Sequence, residues 1–90
     1  MEFNQLRSFC EIVRERSFTR AAVRLALTQP AISLQIKALE EELGEPLLVR
    51  HRTRLRLTPA GELLYQHAQA VLASLEAARE PRIVATGNTR

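Results

Sequence analysis

Residues 17–44 read SFTRAAVRLALTQPAISLQIKALEEELG, and this stretch decides the fold. Ser17 is a good N-cap for a short helix from Phe18 to Leu25, with Ala21, Ala22 and Leu25 turned inward. Thr28 caps a longer helix, and Pro30 falls in its first turn, where a missing N–H costs nothing. That helix runs to Leu43 and stops at Gly44, with Pro46 two residues beyond. At about 100° per residue, Ile32, Ile36, Leu39 and Leu43 fall within about 60° of one another and form its inward stripe. The outward surface carries Gln29, Pro30, Ser33, Leu34 and Lys37 at the leading end. Glu40, Glu41, Glu42 and Glu45 gather at the trailing end. A short helix joined by a tight turn to a longer one is a helix-turn-helix arrangement.

Working outward, Phe3, Leu6, Cys10 and Val13 recur at helical spacing and predict a helix over 3–13. On the other side, Leu47-Leu48-Val49 and the alternating Leu55-Arg56-Leu57 flank four polar residues, His51 to Arg54. This pattern predicts a two-stranded β-hairpin, placed as a wing. Thr58-Pro59 caps a fourth helix that runs to about Arg79, roughly 30 Å long, with Pro81 ending it. Ile83-Val84-Ala85 either begins a strand or belongs to a tail. The expected fold is mainly α. A winged helix-turn-helix occupies 1–57, a linker helix 58–80, and a tail or the start of another domain 81–90.

Ninety residues suit one domain. Thirteen Lys+Arg stand against ten Asp+Glu, and the excess is uneven: six basic and seven acidic groups precede residue 47, seven and three follow it. Arg50, Arg52, Arg54 and Arg56 crowd the hairpin. Twelve of the thirteen basic residues are Arg, whose planar fork suits phosphates and guanine edges. With only Phe3, Phe9, Phe18 and Tyr65 as aromatics, a base-stacking RNA or single-strand platform is a poor reading. Cys10, His51 and His67 lack metal-ligand spacing, and no apolar run reaches the ~18–20 residues of a membrane span. No nucleophile–base set, phosphate loop or carboxylate pair points to an enzyme. Cys10 reads as a core thiol, His67 as an exposed or interfacial polar residue, and Glu40–Glu42 as a solvated face.

The leading end of the long helix has chemistry for base edges. Gln pairs bidentately with adenine, Ser donates or accepts, and Leu covers a thymine methyl. Acids at that end would repel phosphates, and there are none. On the fourth helix Gly61, Leu64, Ala68, Val71, Leu75 and Ala78 follow an a/d rhythm. They are expected to form a homodimer seam, the alternative being that the stripe folds back on the first helix. The competing function is a helical protein-interaction module whose Arg-rich hairpin and Leu34 face meet an acidic protein.

Ser17 to Ala22, Thr28-Gln29-Pro30-Ala31-Ile32-Ser33, Leu39-Glu40, Leu43-Gly44, Leu47, Arg50 and Leu57-Thr58-Pro59-Ala60-Gly61 together closely resemble the N-terminal domain of LysR-type transcriptional regulators. The likeness spans residues 1 to about 80. It implies sequence-specific binding of double-stranded promoter DNA by a dimer on an interrupted palindrome, in the bacterial cytoplasm at the nucleoid. By the same resemblance base-reading positions fall on Gln29, Pro30, Ser33 and Leu34, the last standing where the family often has Arg. Backbone contacts fall on Thr19, Arg20, Thr28, Lys37 and Arg50, and the minor-groove tip on Arg52, Thr53 and Arg54. Leu48 stands where the family usually has Phe. No cofactor is expected in this chain, because the family's inducer belongs to an effector domain that would begin where these residues end.

Overall fold

The computed structural model describes residues 1–79, and the expectations for Glu80 and for 81–90 lie outside the described residues. The elements run α1 (Phe3–Glu15), α2 (Phe18–Leu25), α3 (Gln29–Leu43), β1 (Leu48–His51), β2 (Arg54–Leu57) and α4 (Pro59–Ala78). Three helices start on hydroxyl caps. Ser17 Oγ accepts from the Arg20 N–H at 3.0 Å, Thr28 Oγ1 from Ala31 at 3.2 Å, and Thr58 Oγ1 from Gly61 at 3.0 Å. Each oxygen satisfies an N–H that helix geometry leaves unpaired. The turn between α2 and α3 is Ala26-Leu27-Thr28, with Ala26 left-handed at φ 58° and the Leu27 N–H closing on the Ala22 carbonyl at 2.9 Å.

Phe9, Ile12, Ile32, Leu39 and Leu47 are fully enclosed, joined by Cys10, Ala21, Ala22, Ile36 and Ala68. The inward face of α1 is therefore centred on Phe9 and Ile12, whereas Phe3, expected inside, is 42% exposed. Leu43 is 37% exposed, because α3 outruns the core at its last turn. Burial pushes the Cys10 thiol up to about 11, so it stays neutral and packs as a small apolar group.

In the hairpin Leu48 pairs with Leu57, Val49 with Arg56, Arg50 with Leu55, and His51 with Arg54. The connection is thus two residues, Arg52-Thr53, and not the expected four. Arg52 sits at φ 59°, a left-handed conformation costly for a residue with a Cβ.

The dimer-seam expectation needs correction. Gly61 and Ala68 are buried, and Leu64, Tyr65 and Leu72 pack against the chain's own core. The Tyr65 ring meets Phe9 edge-on at 6.3 Å, fastening α4 to α1. Ala68 is therefore enclosed by its own subunit, and Leu64 is partly covered by it. An a/d rhythm specifies that a helix face needs cover but not which helix supplies it, and α1 lies nearest. Val71 and Leu75 stay 47% and 44% exposed, Ala78 is exposed, and Leu63 is exposed at 60%.

Candidate nucleic-acid interface

The first turns of α2 and α3 and the tip of the hairpin border one cleft, lined by Ser17, Thr19, Gln29, Arg50, Arg52 and Arg54 among others. A second cleft continues along α3 between Gln29, Ser33, Lys37 and Glu40 on one side and Leu48 and Arg50 on the other. The fold thus brings Thr19, Gln29, Ser33, Lys37, Arg50, Arg52, Thr53 and Arg54 around continuous concave ground. Thr28, Pro30, Leu34 and Arg20 are exposed beside it and line neither cleft, with Leu34 67% accessible.

The electrostatics of this surface follow from which cations are already paired. Arg14 and Arg24 are held by Glu11, Arg24 also by Glu15, and Arg79 by Glu76. All three lie away from the clefts. Among the described residues, Arg20, Lys37, Arg50, Arg52 and Arg54 have no carboxylate within 4.0 Å, so their charge is free to meet an anion. Two helix N-termini open on the same ground, and their partial positive ends add to the field.

Three contacts that the sequence reading missed hold this surface in shape. Thr19 Oγ1 donates to Gln29 Oε1 at 3.1 Å, leaving the amide N–H groups of Gln29 free. The Arg50 guanidinium carbon lies 4.1 Å from the centre of the Phe18 ring. Glu40 Oε2 accepts from the N–H groups of Leu47 at 2.7 Å and Leu48 at 3.3 Å, which ties the base of the hairpin to α3. Glu40 is therefore a structural clamp and not part of a solvated run, while Glu41 is exposed and Glu42 binds the amino terminus at 2.6 Å. Spacing alone hides such contacts because Gly44 and Pro46 reverse the chain between Glu40 and Leu47. The one available signal is a carboxylate within a turn of that reversal.

Among the described residues no cluster of three metal-ligating side chains occurs, and no helix is long and apolar enough to cross a membrane.

Comparison with known proteins bears on this surface. The chain is 50% identical over 80 residues to the HTH-type transcriptional regulator BudR of Klebsiella aerogenes, which covers 89% of this chain and 56% of that protein. It is 47% identical over 76 residues to a probable cat1 operon transcriptional activator of Acinetobacter lwoffii, covering 84% of this chain but 25% of that one. The chain thus spans between a quarter and a little over half of the length of these relatives. Its fold superimposes on the crystal structure of the BenM DNA-binding domain in complex with catB site 1 DNA, with a TM-score of 0.83, 44% identity and 87% coverage of each chain. The family model for bacterial regulatory helix-turn-helix proteins, lysR family, matches residues 3–62, across all the elements that build the clefts, and the chain belongs to that family.

Proposed function

We propose that this chain is the DNA-binding part of a transcription regulator, with α3 entering the major groove and the hairpin reaching the adjacent minor groove. The observation that carries this reading is the placement of charge: Lys37, Arg50, Arg52 and Arg54, none of them in an ion pair among the described residues, line the clefts beside two helix N-termini, while the ion-paired Arg14, Arg24 and Arg79 lie elsewhere. Gln29, Pro30, Ser33 and Leu34 take the base edges. Thr19, Arg20, Thr28, Lys37 and Arg50 take phosphates, and Arg52, Thr53 and Arg54 form the minor-groove tip. The superposable BenM domain, solved in a complex with DNA, supports the DNA-binding reading. In this reading the domain binds DNA without a cofactor and acts at the nucleoid.

Two copies are joined through α4. Between Leu63 and Leu75 that helix carries no Asp, Glu, Lys or Arg, yet Leu63, His67, Ala70, Val71 and Ser74 are exposed. A long helix face with neither charge nor cover calls for a partner. The seam centres on Leu63, Val71 and Ala78, with Leu75 at its edge.

The deciding experiment is selection of bound duplexes from a random pool by the purified chain. One recovered motif with two-fold symmetry supports the proposal. Recovery of random sequence, or binding insensitive to salt, sinks it and favours an acidic protein as the partner. On the selected site Gln29→Ala is expected to lose about 1–3 kcal/mol, and much less on random DNA. Titration of both duplexes checks this, and equal losses would reduce Gln29 to a backbone contact. Replacing Arg52 and Arg54 together with Ala is expected to abolish preference for A·T-rich flanks as well as lower affinity, because narrow minor grooves concentrate negative potential. Comparing sites that differ only in their flanks measures it.

A further inference from the structure

Arg50 occupies an unusual place in the hairpin. In the observed register it shares a strand face with Leu48, Leu55 and Leu57, all half-buried, while Val49, His51, Arg54 and Arg56 take the outer face. A charged residue on the inward face would ordinarily be lost to the core side. Here its guanidinium lies on the Phe18 ring, 4.1 Å from the centroid, and it borders both clefts, the one toward the hairpin tip and the one along α3. No carboxylate reaches it among the described residues. Phe18 itself is half-buried in the first turn of α2, an element fixed by the Ser17 cap and by Ala21 and Ala22 in the core. The ring is therefore a rigid platform attached to the domain and not to the hairpin.

This arrangement gains meaning from the two elements on either side of it. A major groove and its neighbouring minor groove are separated by one ribbon of phosphates. With α3 in the first and the hairpin tip in the second, that ribbon must cross between them, where Arg50 is held. We propose that Phe18 is a positioning residue, whose ring face holds the Arg50 guanidinium between α3 and the hairpin to receive a backbone phosphate. The inference rests on the DNA-binding reading above and adds to it a part for Phe18, which would otherwise be simple packing. An aromatic face attracts a cation through its quadrupole, so the ring orients the guanidinium without neutralising it as a carboxylate would. The free N–H groups of the fork remain available to an anion.

The test is a salt titration of duplex binding on the selected site, using the unsubstituted chain, Arg50→Ala, Phe18→Leu, Phe18→Tyr and the Phe18→Leu/Arg50→Ala double variant. Each phosphate neutralised on B-DNA contributes about 0.9 to the slope of log affinity against log salt. Arg50→Ala is expected to lower the slope by about that amount. Phe18→Leu should lower it equally and weaken binding about three- to ten-fold. Phe18→Tyr, which keeps the ring, should bind like the unsubstituted chain, and the double variant should be no weaker than Arg50→Ala alone. A Phe18→Leu loss with unchanged slope, no loss at all, or losses that add in the double variant would each overturn the positioning role. Absence of any salt-dependent binding by the unsubstituted chain would overturn the DNA reading itself. Should Phe18→Leu fail to fold, pentafluorophenylalanine at position 18 keeps the ring's shape and reverses its quadrupole. A lowered slope there supports the proposal, and an unchanged slope overturns it.

Discussion

A chain carrying both Leu63→Glu and Val71→Glu is expected to sediment as a folded monomer and to bind a full palindrome no better than a half-site. Both side chains are more than 45% exposed, so the fold should survive their replacement. In a two-fold assembly through α4 each glutamate would meet its own copy or its neighbour across the seam, and buried like charges are not tolerated there. The effect on DNA binding is large because it is one of avidity. Joining two half-site readers makes the second contact intramolecular, a gain of about 10²–10⁴-fold that vanishes when the join is lost. Sedimentation and titration on full and half sites decide it: a dimer mass retained by the double variant would overturn the seam. The companion substitution Ala68→Glu separates the two faces of α4. It is expected to unfold the domain, because Ala68 is 1% exposed within its own core.

Gly61→Ala is expected to cost much stability for a single added methyl group. Gly61 lies in the first turn of α4, where a Cβ would stand 2.1 Å from the Leu47 carbonyl oxygen and 3.0 Å from Leu57 Cδ2. The first of these is backbone and cannot step aside, since the same carbonyl accepts the Thr58 N–H at 3.0 Å. Thr58 further ties the junction by donating its hydroxyl to the Pro46 carbonyl at 2.6 Å while capping Gly61. One methyl group therefore pushes α4 away from the entry to the hairpin. Overpacking of this kind costs roughly 1–3 kcal/mol, and a backbone obstacle places the result at the upper end. Denaturant unfolding should show a lower midpoint. DNA binding should fall too, since the hairpin and α3 share the Leu47 anchor. A midpoint equal to that of the unsubstituted chain would mean the helix start relaxes freely.

Gly61 illustrates what a sequence hides. The a/d rhythm places it in a seam expected between two subunits, whereas its close approach is to a carbonyl of its own domain. Leu64 and Ala68 tell the same story. Periodicity states that a face is apolar, and only three-dimensional packing states what covers it. The left-handed Arg52 is similarly invisible beforehand, because the length of the turn depended on whether His51 and Arg54 paired.

The local rules were nonetheless decisive where energies are local. Ser17, Thr28 and Thr58 caps, Pro at the first turn of α3 and of α4, and Gly44 at the end of α3 set those helix limits from residue chemistry alone, since each satisfies or terminates hydrogen bonds within a few residues. The outward set Gln29, Ser33 and Lys37 was readable for the same reason: a 3.6-residue period fixes which side chains share a face. By itself, then, the sequence determined the helix-turn-helix, the hairpin and the family. The tertiary structure alone decided that Phe18 lies under Arg50, that Thr19 holds Gln29, that Glu40 clamps the hairpin, and that half of α4 belongs to its own core. Those contacts join segments brought together by chain reversals, and no spacing rule encodes the meeting of side chains across a turn.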